Sequence, residues 1–374
     1  MIVGMDLKIC IDCSPLLVRS AGVKTYLHHW LRALRKCDAE SIATFLEPGD
    51  GRLDHAAGAS RHFFRLATLW ALNRTGTAVV SRLVPESSVF HASNLLRRFP
   101  GRPKLSATVH DLTSWVVPQF HTPAQRAADE AFADNVLRPA SGLICVSGNS
   151  RQDAARILRL DPRKMTVICP GVPEEYFNAG PRESESAARA LKLRTPYFLF
   201  VSTIEPRKNL DGLLAAWLSL PSEFRESHEL VVAGMPGWKS ETTMKLLRQI
   251  ARRQSGVRYL GYVPEQLMAG LTAGARALIY PSFYEGFGIP VAQALAAGCP
   301  VIVSSVSSLP EVAGEAGLMV DPRSAGEIAS AIRRIGESDS LRARLRSAGR
   351  ERAKLFSWER AARQSLEYFR GLAE

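Results

Sequence analysis

The feature that most constrains this chain is the regular alternation of short apolar runs with longer, helix-length segments. Such runs are typical of strands buried on both faces of a parallel sheet, and their alternation with helices predicts repeated βαβ units and an α/β fold. The predicted strands are KICID, SVFHAS, LSATVHD, GLICVS and VICPGV in the first half, and YFLFVS, ELVVAG, VRYLGYV, RALIYPS, CPVIVSS and GLMVDP in the second.

The length of 374 residues favours two successive doubly wound domains over a single core. A stretch with Pro, Gly and Ser at 173–195 has no clear apolar period and is interpreted as the linker. The last segment has helical spacing and begins with an N-cap candidate at Ser357. We therefore predict a first domain, a second domain and a final helix packing back toward the first domain, at residues 1–178, 179–356 and 357–374.

Composition argues for an intracellular protein without a disulfide framework. The six cysteines are few for this length, no charged leader precedes LKICIDC, and no run of about 18 apolar residues appears. Cys10 and Cys13 form a C-x-x-C that would suit a redox centre or half a zinc site. No second pair or His cluster completes such a site, so we interpret them as core-filling thiols and expect a cytoplasmic location.

The net charge of +12 is concentrated in residues 52–104, which hold nine Lys or Arg against two acids, 9 − 2 = +7. Anionic lipid, a phosphorylated substrate or nucleic acid would suit such a segment, but it has no nucleic-acid-binding motif, so we expect no nucleic-acid partner. RHFFRLATLWAL at 61–72 is compatible with an amphipathic helix lying on the inner membrane and equally with an ordinary helix packed inward. Peripheral membrane association is therefore an open alternative.

Several cofactor motifs are missing from the sequence. No G-x-G-x-x-G follows the first strand, and VVAGMPGWKS is not a P-loop because Trp238 separates Gly237 from Lys239. No D-x-D occurs, which removes the usual carboxylate pair that holds a metal on a nucleoside diphosphate. We therefore expect no metal and no cofactor, and protein cations and backbone amides must neutralise any diphosphate.

Such groups follow two predicted strands of the second half. VSTIEPRKNLDGLLAAW carries Arg207 and Lys208 between a strand and an amphipathic helix, and both cations suit a pyrophosphate. PSFYEGFGIPVAQ carries Glu285 and then Gly288 beside a helix start, where backbone amides can approach a phosphate. VSSLPEVAGEAGLMVDP repeats the strand–turn–helix pattern.

These segments, together with AGMPGW and GYVP, resemble the donor-binding domain of the retaining family 4 glycosyltransferases. AGVKTY, VHDLTSW, CVSGNS and PGV extend the resemblance into the first half, and the subgroup resembled is the bacterial mannosyltransferase-like enzymes of O-antigen and surface-polysaccharide synthesis. The resemblance implies the GT-B fold, with two Rossmann-like doubly wound parallel-sheet domains facing across a cleft that holds the active site.

The resemblance also implies roles for individual residues. Lys208 and Arg207 would bind the donor diphosphate, Glu285 the donor sugar, and His110, with Asp111 beside it, would lie near the transferred sugar. Two positions depart from the family pattern: Gln293 replaces a ribose-binding Glu, and Ser202 replaces a common Arg. The donor-binding set so implied is Gly22, Ser202, Arg207, Lys208, Val263, Glu285, Gly286, Phe287, Gly288 and Gln293, and the catalytic set is His110, Glu285, Lys208 and Arg207.

The expected reaction is retaining transfer of a hexose, with mannose from GDP-mannose as the leading expectation and a UDP-sugar as the other donor considered. The acceptor would be a saccharide, expected to be lipid-linked. No nucleophilic carboxylate pair is evident at Glu285, so the resemblance favours front-face attack, with the leaving diphosphate accepting the acceptor's proton. Two alternatives stay open: an epimerase or phosphorylase-type enzyme of the same fold, and a catalytically silent sugar-nucleotide-binding partner, which Gln293 favours.

Overall fold

A computed structural model describes residues 7–18, 22–48, 63–74, 84–96, 103–193, 196–253 and 255–374. The chain forms two compact units. The first comprises Met1–Trp115, Thr122–Gly171 and Ser357–Glu374, and the second comprises Val116–His121 and Val172–Phe356. The division after Gly171 precedes the predicted boundary at 178, and the short segment Val116–His121 joins the second unit.

The first unit is built on a six-stranded parallel sheet with the order β2-β1-β3-β4-β5-β6. Its strands are β1 (Ile9–Asp12), β2 (Ile42–Phe45), β3 (Val89–Ala92), β4 (Lys104–Val109), β5 (Gly142–Cys145) and β6 (Met165–Val167). Its helices are α1 (Gly22–Cys37), α2 (Phe63–Arg74), α3 (Thr113–Val116, whose last residue falls in the second unit), α4 (Pro123–Phe132), a π-helical turn (Ala133–Leu137), α5 (Gly148–Leu158) and the final helix Trp358–Ala373.

The second unit carries a six-stranded parallel sheet with the order β12-β11-β10-β7-β8-β9. Its strands are β7 (Tyr197–Val201), β8 (Glu229–Ala233), β9 (Val257–Gly261), β10 (Leu278–Tyr280), β11 (Val301–Ser304) and β12 (Gly317–Val320). Its helices are α6 (Glu174–Phe177), α7 (Pro181–Ala190), α8 (Leu210–Leu218), α9 (Ser222–Ser227), α10 (Glu241–Arg252), α11 (Glu265–Ala273), α12 (Ile289–Ala296), α13 (Leu309–Ala313), α14 (Ala325–Glu337) and α15 (Asp339–Ala353). The final helix of the first unit is therefore α16 (Trp358–Ala373).

The predicted α/β class, with two doubly wound parallel sheets, is confirmed. Each predicted strand run overlaps an observed strand, although VICPGV begins only at Val167, the last residue of β6. The central strands have uninterrupted apolar sequence because helices cover both faces of a parallel sheet. Residues spaced three or four apart bury one face of each covering helix. In α8 these residues are Leu210, Leu213, Leu214 and Trp217, which join the core of the second unit.

Most of the described part of the predicted linker at 173–195 is helical, in α6 and α7. Glu183 closes a capping box by accepting a hydrogen bond from Gly180 N at 2.9 Å, and α7 packs on α11, where a Cβ on Gly270 would meet the Glu183 carbonyl at 2.3 Å. A short helix that packs through Ala187 and a glycine leaves little apolar periodicity in the sequence, which explains the wrong prediction.

Two smaller predictions are confirmed. Ser357 caps α16 by accepting a hydrogen bond from Arg360 N, and Cys10 and Cys13 are buried thiols in the core of the first unit. Burial raises the pKa of Cys10 to about 12, so this thiol stays protonated at neutral pH. Within the described ranges, no helix is long and apolar enough to cross a membrane.

Candidate functional site

The candidate site lies where the strand order of the second sheet reverses. β7 and β10 are neighbours in the sheet although two strands separate them in the chain, and ligands of open α/β sheets bind at the carboxyl ends of such strands. β7 leads into a 3₁₀ turn, Pro206–Lys208, and β10 leads into the loop that carries Glu285. The sheet topology thus brings together the two motifs that the sequence singled out.

Arg207, Lys208 and Glu285 form a buried ion-paired cluster at this edge. Lys208 Nζ donates to Glu285 Oε1 at 2.6 Å, and Arg207 Nη1 donates to Glu285 Oε2 at 3.0 Å. Each of the three residues is more than nine-tenths buried, with exposures of 6–8%. Glu285 therefore divides its two carboxylate oxygens between the two cations.

Further contacts fix the two cations. Arg207 Nη2 donates to Glu205 Oε1 at 2.6 Å, and its Nη1 also donates to the Tyr284 carbonyl at 2.6 Å. Lys208 Nζ donates to the Tyr280 hydroxyl at 3.0 Å. Since Glu205 and Glu285 face Arg207 and Lys208, two carboxylates compensate two cations in one buried cluster.

The electrostatics of the cluster keep Glu285 ionised. Burial raises the pKa of Glu285, but the positive charges of Lys208 and Arg207 outweigh it and lower the pKa to about 2. Burial raises the pKa of Glu205 above its ordinary range, against the attraction of Arg207. Burial lowers the pKa of Lys208, but attraction to Glu285 and Tyr280 raises it overall, so the ammonium stays charged. The cluster thus offers a permanent carboxylate beside two permanent cations.

The loop after Glu285 is shaped by a left-handed glycine and by a buried serine. Gly288 has φ of 99° and immediately precedes α12, and a Cβ there would lie 2.6 Å from Leu309 Cδ2. Ser308 Oγ donates to the carbonyls of Glu285 and Phe287 at 2.9 and 3.0 Å. The predicted site residues Gly286, Phe287 and Gly288 are all buried in this loop, at the N-terminus of α12.

The remaining predicted residues of the second unit lie on other loops and on α12. Ser202 follows β7 and is partly exposed, and its backbone lies so close to Gly234 that a Cβ on that glycine would meet the Ser202 carbonyl at 1.7 Å. Val263 is buried after β9, and Gln293 is partly buried within α12. The ion pairs of the cluster involve none of these three residues in the described part of the chain.

The predicted residues of the first unit belong to the carboxyl ends of its own strands. His110 follows β4, packs edge-on against Tyr26 at a centroid distance of 4.9 Å, and its carbonyl accepts from Ser150 Oγ. Burial lowers the pKa of His110 to about 4, so the ring is neutral at pH 7. Gly22 begins α1, and among described residues a Cβ added there would meet no atom within 4 Å. Asp111 accepts from the backbone and hydroxyl of Thr113.

Asn209 is a site residue whose part the sequence did not reveal. It adopts a left-handed conformation with φ of 59°, and its Nδ2 donates to the carbonyls of Pro281 at 3.0 Å and Pro322 at 2.6 Å. It thereby fastens the loops that follow β7, β10 and β12. The sequence feature that could have indicated Asn209 is its position directly after Lys208 in E-P-R-K-N. For Ser308 the corresponding feature is the S-S-L-P motif.

Two protein-family descriptions match almost the whole chain. "Glycosyltransferase Family 4" matches residues 20–176, and "Glycosyl transferases group 1" matches residues 181–352. A solved structure from Anabaena, Alr3699/HepE in complex with UDP-glucose, is similar to this chain with a TM-score of 0.75 and 16% sequence identity. The match covers 98% of this chain and 100% of that structure. The two parallel sheets and these matches define a glycosyltransferase with the GT-B fold.

Two curated relatives make the family assignment specific. O-antigen chain mannosyltransferase B of Escherichia coli is 33% identical over 284 residues, which cover 75% of this chain and 74% of the relative. D-inositol 3-phosphate glycosyltransferase of a Nocardioides species is 30% identical over 262 residues, covering 66% of this chain and 57% of that protein. The chain belongs to the group 1, family 4 glycosyltransferases.

Proposed function

We propose that this glycosyltransferase moves a hexose, with mannose from GDP-mannose as the first candidate, from a nucleotide-sugar donor to a saccharide acceptor. The acceptor is lipid-linked, the anomeric configuration is retained, and the product belongs to a bacterial surface polysaccharide assembled at the cytoplasmic face of the inner membrane. The mannosyltransferase named among the relatives supports the sugar, and the UDP-glucose complex of the Anabaena protein keeps a UDP-sugar as the alternative donor.

The observation that carries the proposal is the buried cluster at the switch point of the second sheet. A nucleoside diphosphate requires fixed positive charge, and Arg207 and Lys208 supply two buried cations within 3.0 Å of the same carboxylate. Buried cations that stay charged stabilise a leaving diphosphate more strongly than cations in water. The N-terminus of α12 adds a positive dipole end at the same loop.

We propose that donor binding exchanges the partners in this cluster. The diphosphate takes the place of Glu285 on Lys208 and Arg207, and Glu285 turns its oxygens to hydroxyls of the donor sugar. In the donor-free cluster its low pKa keeps it ionised, so it reaches the donor as a carboxylate that can accept hydrogen bonds from those hydroxyls. The bond between the anomeric carbon and the diphosphate oxygen breaks, and the acceptor's hydroxyl oxygen bonds to that carbon on the same face. The two cations stabilise the negative charge of the leaving diphosphate, which receives the proton of the acceptor hydroxyl. His110, neutral at pH 7, binds a sugar hydroxyl.

A second candidate function is a sugar-nucleotide-binding partner that does not catalyse transfer. Gln293 favours it, since a neutral amide binds ribose hydroxyls less strongly than a carboxylate does. The two candidates differ in turnover rather than in binding.

Calorimetric titration with GDP-, UDP- and dTDP-sugars tests the donor, and product analysis with a saccharide acceptor tests transfer. We expect GDP-mannose to bind most tightly and to yield an α-linked product at an undiminished rate in chelator, since two protein cations replace a metal. Binding without product supports the silent partner. Loss of all activity in chelator, restored by Mg²⁺ or Mn²⁺, contradicts the metal-independent reaction, and binding of no sugar nucleotide contradicts the proposed function itself.

A further inference from the structure

Helix α2 exposes three large aromatic side chains on one short stretch of the first unit. Phe63, Phe64 and Trp70 are 65%, 85% and 60% exposed, and every other large exposed hydrophobic residue in the described ranges is at most 52% exposed. Burying an aromatic ring is among the larger favourable terms available to a protein surface. Three such rings on one helix therefore mark a surface suited to an apolar or interfacial partner.

The helix is anchored to the first unit through Leu69 and Asn73. Leu69 is buried in the core of that unit, and Asn73 Nδ2 donates to the Leu95 carbonyl at 3.0 Å. Phe63, Trp70 and Arg74 are spaced i, i+7 and i+11, which places them within about 40° of one another at 100° per residue, while Leu69 lies about 120° from Phe63 around the helix. We call Phe63, Phe64, Trp70 and Arg74 the α2 outer face.

The charge of this face is positive. Arg74 lies over the Trp70 ring with Cζ 4.3 Å from its centroid, Arg65 is also exposed, and the helix contains no acidic residue. The surrounding sequence from 52 to 104 carries nine Lys or Arg against two acids. An apolar partner for the α2 outer face should therefore also be negatively charged.

We propose that the α2 outer face binds the surface of an anionic phospholipid bilayer. Phe and Trp rings insert at the boundary between head groups and acyl chains, and Arg74 remains with the phosphates above them. A helix whose inner face packs on protein and whose outer face carries aromatics and a cation matches this environment. The inference rests on the exposure and charge of α2 alone and does not depend on the proposed sugar transfer.

Vesicle co-sedimentation of the full chain tests the proposal. We expect the wild-type protein to sediment with vesicles containing phosphatidylglycerol, to sediment at least tenfold less with pure phosphatidylcholine, and to be released by salt. Sugar transfer to a water-soluble acceptor in lipid-free buffer is measured in parallel. Failure of that reaction would count against the proposed function, whereas it leaves the lipid measurement intact.

Two variants and a matched control locate the binding face. Phe63→Ser/Phe64→Ser/Trp70→Ser should weaken binding at least tenfold, because it removes the inserting rings while leaving Leu69 and Asn73 in place. Arg74→Glu should weaken binding to anionic vesicles about fivefold or more. The control Leu246→Ser/Arg252→Glu makes the same kinds of change on α10 of the second unit and should bind as the wild type does.

Three results would overturn the proposal. The wild-type protein could fail to bind anionic vesicles at low salt, or the triple serine variant could bind them unchanged although circular dichroism shows it to be folded. The third is a lipid-independent dimer that the triple variant converts to a monomer, which would show that the α2 outer face covers a second copy of this chain.

Discussion

Lys208 Nζ lies 2.6 Å from Glu285 Oε1, yet the proposed mechanism gives the two side chains different partners on the donor. In that mechanism, the ammonium contacts the diphosphate in the ground state and holds it more tightly as the leaving group gains charge. The carboxylate contacts only the sugar of the donor. Binding of a bare nucleotide and turnover of the full donor should therefore respond differently to the loss of each side chain.

Lys208→Ala should weaken GDP binding and also slow turnover, with a cost of about 2–4 kcal/mol in transition-state stabilisation, as for loss of one oxyanion donor. Glu285→Gln should lower turnover sharply, because the amide keeps the shape of the side chain but loses the charge that binds sugar hydroxyls. It should not weaken GDP binding and should strengthen it, because the diphosphate no longer competes with a carboxylate for Lys208 and Arg207. Calorimetry with GDP and steady-state kinetics measure the two effects separately.

Lys245→Ala is the matched control, since Lys245 is an exposed lysine of α10 in the same unit. It should retain wild-type binding and turnover, and circular dichroism should show all three variants to be folded. Wild-type turnover by Glu285→Gln would show that the sugar binds elsewhere. Normal nucleotide binding by Lys208→Ala would show the same for the diphosphate.

The residues of this cluster could be predicted from the sequence, but their pairing could not. E-P-R-K-N and P-S-F-Y-E-G-F-G each identified chemistry-bearing side chains next to a strand. The contact between Arg207 and Glu285 spans 78 positions and exists because β7 and β10 are adjacent in the sheet. Strand order depends on tertiary packing, which local spacing does not encode. For the same reason, the sequence did not predict that Asn209 joins three loops, because its partners Pro281 and Pro322 are distant in the chain.

At the scale of elements, the segment Val116–His121 is the least expected part of the second unit. Phe120 stacks on Phe283 at a centroid distance of 5.2 Å, and Trp238 Nε1 donates to the Phe120 carbonyl at 2.9 Å. Lys239 Nζ donates to the carbonyls of Gln119 and His121 at 2.9 and 2.8 Å. Since Phe283 N donates to the Arg207 carbonyl, this segment lies against the loop of the candidate site.

Phe120→Ala and Lys239→Met should both loosen this segment. The first removes an aromatic pair worth about 0.5–1.5 kcal/mol, and the second removes two charge-assisted hydrogen bonds, partly exposed, that together contribute about 1–2 kcal/mol. Hydrogen–deuterium exchange at 116–121 should rise severalfold in each variant. Only Phe120→Ala should also raise exchange in the loop of Phe283, because the lysine does not contact that ring.

Lys245→Met serves as the control for Lys239→Met, since it removes an exposed lysine of α10, whereas Lys239 is the lysine that donates to Gln119 and His121. Its exchange pattern should match the wild type. Unchanged exchange at 116–121 in both test variants would mean that Trp238 alone holds the segment.

The elements that the sequence predicted well are long or strongly apolar, and the missed ones are short or packed through small residues. β2 is a half-buried edge strand of only four residues, Ile42–Phe45. Its sequence contains no apolar run long enough to predict a strand. α7 packs through Ala187, and its sequence lacks the apolar period that would predict a helix rather than a linker. The capping of α16 by Ser357 was predictable because a cap is a local interaction.

At the scale of the whole molecule, buried titratable groups set how stability depends on pH. His91 lies inside the first unit, with Nδ1 3.0 Å from Ser106 Oγ and Nε2 2.9 Å from Thr108 Oγ1. Burial and the neighbouring His110 lower the pKa of His91 to about 3, and burial lowers that of His110 to about 4. Both rings therefore stay neutral in the folded chain at a pH where they are protonated in the unfolded chain.

A histidine whose pKa is lowered by folding contributes its full stabilisation above the pKa of the unfolded chain, about 6.5. This contribution to the free energy of unfolding is lost as the pH falls toward the pKa in the folded chain. At pH 5 the loss from His91 is about 2 kcal/mol, since each pKa unit corresponds to about 1.4 kcal/mol. Glu285, with its lowered pKa, loses its contribution only below about pH 4.5, outside this window. Asp12 and Glu205, whose pKa burial raises, act in the opposite direction.

The difference between wild type and His91→Gln isolates the histidine from these other groups. Urea unfolding at pH 7.5 and pH 5.0 should show that wild type loses about 2 kcal/mol more than His91→Gln between the two conditions, because Gln keeps the hydrogen-bonding groups but does not titrate. Ser106→Ala is the control: it removes a partner of His91 without removing the titration, so it should lower stability equally at both pH values. An equal loss in wild type and His91→Gln would mean that His91 is already protonated in the fold at pH 5, contrary to its burial between two hydroxyls and the rings of Trp30 and Phe369.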